Sequence, residues 1–243
     1  MNLIIDIGNT RVKTAVFQGY ELLVKENDVL NNLENKIQLL MARFPEIKNC
    51  ILSSVGLQTQ IPAQLLPKHL HTLILNPKTP LPIINGYETP KTLGMDRLAL
   101  ACAAANKYPN NDCLIIDVGT CITYDFISKN NRYLGGAISP GLQLRYTALN
   151  SLTANLPLLK PETPKALIGT TTNGAIHAGV VYGILSEIDG VIARYQEKYS
   201  DLTVILTGGD TNFLSKQLKS SIFAHSNFLL EGLNHILHYN TNE

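Results

Sequence analysis

Three short stretches hold the residues whose types and spacing could do chemistry. In Asp6-Ile7-Gly8-Asn9-Thr10-Arg11-Val12-Lys13 an acid ends an apolar run, a glycine and two small polar residues follow, and two cations close the segment. Gly94-Met95-Asp96-Arg97 sets a second acid beside an arginine, and Asp117-Val118-Gly119-Thr120 repeats the acid, glycine and hydroxyl. A polyphosphate needs backbone N–H groups that approach closely, a mobile positive charge, and a hard oxygen for magnesium or its waters. Gly8 would let the backbone bend toward a phosphate, Asn9 and Thr10 would add donors, Lys13 would reach the phosphates from a returning strand, and Asp6 would take Mg2+ directly or through water. The same residues also make ordinary hairpin turns, since Asp, Gly and Asn are turn formers.

What separates these readings is repetition. Leu3-Ile4-Ile5-Asp6-Ile7-Gly8 returns as Leu114-Ile115-Ile116-Asp117-Val118-Gly119, identical at five of six positions. A generic turn does not require the same acid at the end of the same apolar strand twice. Each copy predicts a strand, a tight turn and a returning strand. A third strand is expected near 20–25 in the first half and 133–138 in the second. Helices are expected near 29–44 and from Gly94, then near 142–152 and 171–199, with further strands near 50–55 and 202–206. The fold class is therefore α/β, with two related lobes, 1–112 and 113–243, each a mixed sheet flanked by helices. Gly119-Thr120 is expected to approach the same phosphates from the facing lobe. Pro62, Pro67, Pro77, Pro80, Pro82 and Pro90 exclude a continuous helix across that stretch, and Pro157, Pro161 and Pro164 mark a loop before the long helix.

Composition narrows the class. The chain has 243 residues, is 45% hydrophobic and 16% charged, and carries a formal net charge of +1. Without a Lys/Arg-rich run it lacks the footprint of a nucleic-acid or anionic-membrane binder. No basic leader precedes Leu3-Ile4-Ile5, and no apolar run approaches the length of a membrane span, so the expected location is cytoplasmic. Cys50, Cys102, Cys113 and Cys121 form no C-x-x-C pair and read as buried thiols, and no His pattern matches a zinc site. The P-loop, the dinucleotide fingerprint and the protein-kinase motifs are all absent from the sequence.

With Tyr133-Leu134-Gly135-Gly136 and Pro140-Gly141-Leu142 added, these segments resemble type III pantothenate kinases in order and spacing along nearly the whole chain. The resemblance implies duplicated actin-like ATPase lobes of ribonuclease H-like type. It implies ATP-dependent phosphorylation of pantothenate to 4'-phosphopantothenate, the first step of coenzyme A synthesis. Carried over by position, it assigns Asp6, Ile7, Gly8, Asn9, Thr10, Arg11, Val12 and Lys13 to the ATP phosphate loop and Thr120 to a second ATP contact. Asp117 becomes a monovalent-cation ligand for potassium or ammonium. Gly94, Met95, Asp96 and Arg97 become the pantothenate stretch with Asp96 as catalytic base, and Tyr87 and Thr172 become further substrate contacts. A homodimer is also implied. Ala175, Ala178, Gly179 and Gly183 offer a small-residue face that either a partner or an internal helix could fill. Asp96 would also complement a helix dipole, and Arg97 could pair with substrate carboxylate or with phosphate oxygens. Ile168-Gly169-Thr170-Thr171-Thr172 keeps the family's glycine and last threonine without the basic and amide residues between them. Two other functions share this scaffold: a non-catalytic nucleotide-binding accessory protein, and a kinase for another small hydroxy or carboxylic acid.

Overall fold

Both halves of the chain build a sheet of the same strand order. The structure, a computed structural model, describes residues 1–8, 11–54, 66–67 and 69–241. Strands are numbered in chain order. In the first sheet β1 (Asn2–Ile7), β2 (Val12–Gln18), β3 (Glu21–Asp28), β4 (Asn49–Ser54) and β5 (His71–Ile74) are arranged β3-β2-β1-β4-β5. β6 (Ile84–Asn85) is a short parallel strand beside Arg132 and Tyr133. The second sheet orders β7 (Cys113–Val118), β8 (Cys121–Ser128), β9 (Arg132–Pro140), β10 (Thr203–Thr207) and β11 (Phe223–Ala224) as β9-β8-β7-β10-β11. In each, the central strand pairs antiparallel with its hairpin partner and parallel with the strand that returns after a helical crossover.

The residues fall into two compact units. One comprises Met1–Pro109, Asn130–Leu134 and Asn227–Glu243, the other Asn110–Lys129 and Gly135–Ser226. The sequence reading put all of 113–243 in one lobe, whereas here the last segment joins the first unit. That segment forms a helix the sequence reading did not single out.

In the first unit all six residues of β1 are buried, as expected of a central strand covered on both faces. Leu3, Ile5 and Ile7 share one face and pack with Leu33, Ile37 and Leu40 of α1 (Leu33–Arg43), residues at helical spacing. The helix expected from residue 29 begins with a 3-10 turn at Leu30–Asn32. α2 (Met95–Lys107) is buried continuously from Arg97 to Ala104. It lies against α6 (Phe228–Thr241), which also touches β1 and β4. Asn234 of α6 accepts a 3.0 Å hydrogen bond from the Asn2 side chain, and Asn2 in turn accepts from Asn49 at 3.2 Å.

In the second unit α3 (Leu142–Ser151) and α4 (Thr172–Lys198) cover the sheet, and α5 (Thr211–Leu214) follows β10. α4 contains a π-turn at Ala178–Tyr182. Contrary to the sequence reading, α4 is long and apolar enough by length and composition to cross a membrane. Its Ile176, Val180, Val181, Ile184, Ile188 and Ile192 are instead buried in the second unit's core with Leu114, Ile116 and Leu206. In the sequence its apolar residues recur at helical spacing among glycines and polar groups, so no continuous apolar run marks this stretch. Cys50, Cys102 and Cys113 are buried, but Cys121 is exposed because it begins β8 immediately after the turn. Burial pushes the Cys113 thiol up to about 12 and raises those of Cys50 and Cys102, so these three remain protonated at neutral pH.

Candidate functional site

Asp6 lies at the end of β1 and is 3% exposed. Antiparallel pairing puts it opposite Lys13 of β2, whose Nζ stands 3.5 Å from the Asp6 carboxylate. Parallel pairing puts it beside Ser53 of β4, whose side chain hydrogen-bonds to it. Burial raises the Asp6 carboxyl above the ordinary range, Lys13 opposes that rise, and the nearby Asp96 charge adds to it. Gly8 N–H donates to the Arg11 carbonyl at 3.0 Å and so closes the turn. Ile7 and Val12 are both 2% exposed core residues, which leaves only their backbone for a ligand, while Arg11 is exposed. Asn9 and Thr10, the predicted donors at the turn, lie outside the described residues.

The same unit carries the second acid. Gly94 caps α2 and Asp96 sits in its first turn, where its Oδ1 accepts the Arg97 backbone N–H at 2.8 Å. The carboxylate therefore does complement the helix terminus. Its charge is also felt at Asp6, so both acids belong to one electrostatic neighbourhood. Arg97 is 6% exposed, with its guanidinium carbon 5.8 Å from the centroid of the Tyr87 ring. Tyr87 in turn leans on Tyr133 at 6.1 Å between ring centroids. Tyr87, Asp96 and Arg97 thus gather in one region, together with Asp6 and Lys13, and Met95 is half-buried beside them. Among the described residues no three His, Cys, Asp or Glu side chains cluster for a metal. A buried carboxylate with a second acid close by nevertheless suits Mg2+, which keeps several waters and takes few protein oxygens.

The second copy is built differently. Asp117 ends β7 opposite Thr123 of β8 and beside Thr207 of β10. It is half-buried, and no lysine occupies the cross-strand position. Gly208 follows β10 with φ +104°, a conformation open to glycine, and a Cβ there would lie 2.3 Å from Asp117 Oδ1. The missing side chain leaves the Asp117 oxygen in a cradle bordered by the Val118 carbonyl, a set of neutral and anionic oxygens that fits a weakly hydrated monovalent cation. Thr120 is exposed at the tip of a turn only two residues long, with Gly119 N–H donating to the Cys121 carbonyl at 3.0 Å. Thr172 is the exposed first residue of α4. The cap is Thr171, whose hydroxyl accepts the Gly174 N–H at 3.1 Å. Beside it a cavity of about 390 Å³ is lined by Glu162, Lys165, Thr170, Thr171, Asn173 and His177. His177 shares a 2.8 Å hydrogen bond with Tyr146.

Sequence reasoning missed Ser53 and Thr207, the hydroxyls flanking the two repeated acids. Their one available signal was position, since Ser53 lies near the end of the strand expected at 50–55 and Thr207 directly follows the one expected at 202–206. It also missed Arg145, three residues beyond the quoted Pro140-Gly141-Leu142.

Two mixed sheets in the order 3-2-1-4-5, each with an acid ending its central strand, define a duplicated actin-like ATPase fold of the kind sugar kinases use. A glucokinase from an Antarctic psychrotroph superposes with a TM-score of 0.56 at 13% identity, covering 98% of each chain. The sequence is more particular than the fold. The family described as type III pantothenate kinase matches residues 2–194. The type III pantothenate kinase of Christiangramia forsetii is 50% identical over 99% of both chains. That of Flavobacterium johnsoniae is 47% identical over 98% of both. The chain belongs to the type III pantothenate kinase family, as the motifs in its sequence led us to expect.

Proposed function

We propose that the chain transfers the γ-phosphoryl group of ATP to the primary hydroxyl of pantothenate, giving 4'-phosphopantothenate and ADP at the entry to coenzyme A synthesis. Beyond family membership, the observation that carries this reading is Asp6, buried against Lys13 and electrostatically coupled to Asp96. Phosphoryl transfer through a loose transition state needs an oriented hydroxyl and neutralised phosphates more than a strong base. Asp96 accepts the hydroxyl proton as the new P–O bond forms and the bond to ADP breaks. Lys13 holds phosphate oxygens, with Ile7, Gly8, Asn9, Thr10, Arg11 and Val12 forming the loop beside them and Thr120 adding an ATP contact. Asp6 would hold Mg2+, directly or through water, and the ion would supply charge neutralisation at the phosphates.

Tyr87, Gly94, Met95, Arg97 and Thr172 bind pantothenate in this scheme. The stacking of Arg97 on Tyr87 keeps its guanidinium in one orientation, which favours pairing with a planar carboxylate. Asp117 would hold potassium or ammonium. The working form is a cytoplasmic homodimer that engages neither nucleic acid nor membrane. The test is formation of phosphopantothenate from ATP and pantothenate with Mg2+, with and without a potassium or ammonium salt. Turnover that depends on the salt supports the whole scheme. Nucleotide binding without turnover would favour an accessory protein, and ADP release with a different acceptor would favour another kinase specificity. Light scattering checks the dimer, and full activity in a monomer would remove it.

A further inference from the structure

The turn that presents Thr120 is held by more than its own hairpin. Gly141 N–H donates to the Thr120 carbonyl at 3.1 Å. No side chain fits at Gly141: a Cβ would lie 2.3 Å from the Gly119 carbonyl oxygen and 2.4 Å from that of Thr120. The backbone at the start of α3 therefore presses directly on the turn, and whatever fixes Gly141 also fixes Thr120.

That anchor is Arg145. Its backbone N–H donates to the Gly141 carbonyl at 3.2 Å, its Nε donates to the Pro140 carbonyl at 3.0 Å, and its Nη2 donates to the Ser139 hydroxyl at 3.0 Å. The same Nη2 forms an ion pair with Glu187 of α4. The other Glu187 oxygen accepts the Tyr124 hydroxyl at 2.8 Å, and Tyr124 lies on β8, the strand that leaves the Thr120 turn. The links form a closed ring running from Thr120 through β8, Tyr124, Glu187, Arg145 and Gly141 back to Thr120. Burial works against the Glu187 charge, yet the hydrogen bonds from Arg145, Tyr124 and Ser139 hold its carboxyl below the ordinary range. The ring is therefore intact at neutral pH.

We infer that Arg145 and Glu187 are a positioning pair that sets the Thr120 turn for ATP through Gly141. The inference rests on the reading of Thr120 as an ATP contact. Both side chains are about a quarter exposed, at 21% and 27%, so replacing them leaves the apolar core untouched. The fork geometry of arginine is required, because a lysine cannot serve Pro140, Ser139 and Glu187 at once.

The experiment measures KM for ATP, KM for pantothenate, kcat and melting temperature for Thr120→Ala, Arg145→Ala, Arg145→Lys, Glu187→Gln and the Arg145→Ala/Glu187→Gln double variant. Each of the Arg145 and Glu187 variants is expected to raise KM for ATP about tenfold, with the double variant no worse than Arg145→Ala because the pair acts as a unit. KM for pantothenate and kcat should move less than about twofold, and Arg145→Lys should fail to rescue. Thr120→Ala with an unchanged KM for ATP overturns the ATP contact itself. A raised KM in Thr120→Ala alongside an unchanged one in Arg145→Ala and Glu187→Gln overturns the positioning pair alone. Equal rises in both KM values that track a falling melting temperature also overturn it, since they mark a merely structural bridge.

Discussion

The hairpins at Asp6 and Asp117 share a strand order and a flanking hydroxyl, yet they surround their acids with different groups. Across the hairpin Asp6 meets a cation and Asp117 meets Thr123. Four residues separate the end of β1 from the start of β2, whereas two separate the end of β7 from the start of β8. Asp6 is sealed by its sheet, while Asp117 looks into the space that Gly208 leaves. A duplicated scaffold thus fixes where an acid stands, and the side chain opposite it with the length of the turn decides what the acid can do. A lysine beside a buried carboxylate suits a shared polyanion and magnesium. A carboxylate among neutral oxygens suits a single weakly hydrated positive charge.

The sharpest break between the copies should come from the acid that only the first unit adds. Asp96→Asn should lower kcat by about 10²–10⁴ while leaving ATP binding nearly intact, as checked by steady-state kinetics and calorimetry. Full activity in that variant would falsify the assignment of the base. Next come the two cross-strand positions. Lys13→Ala is expected to cost about 10²–10³ in kcat, and Thr123→Ala at the matching register less than about tenfold. Comparable losses at both would erase the distinction between the hairpins. In the second copy, Gly208→Ala places a Cβ against Asp117 and strains a positive φ, so it should destabilise by about 1–3 kcal/mol in urea titration. The same variant should respond less to potassium than the parent does.

The smallest effect concerns stability against pH. Because the Asp6 carboxyl is raised on folding, the folded state holds more protons than the unfolded state between the ordinary carboxylate value and the raised one. Stability contributed by this group is therefore present below that window and lost as pH rises through it. Asp6→Asn should be more stable than the parent at neutral pH without magnesium. The difference between the two melting curves should close on acidification. A difference that is independent of pH would show that burial does not perturb Asp6.

The repeated hairpins were legible because short continuous apolar runs ending in Asp-x-Gly are local signals, and the long helix because its apolar residues recur every third or fourth position. Parallel pairing is not local. Nothing in the apolar run at 51–54 names β1 as its neighbour, so Ser53 beside Asp6 had to be seen. The role of Arg145 was hidden for the same reason, as its partners lie on β9 and α4. The helix α6 is apolar and well patterned, but its place in the first unit reflects packing against α2 across a long stretch of intervening sequence. Short elements such as β6 and β11, two residues each, carry no periodicity to read.

That placement of α6 also sets an order of events during synthesis. The ribosome finishes α2, with Asp96 in its first turn, long before it reaches Phe228–Thr241, and it makes the whole second unit in between. Until α6 arrives, one face of α2 lacks its cover and the side chain of Asn2 lacks Asn234. The first turn of α2, which carries Asp96, therefore gains its full support only once α6 has been made.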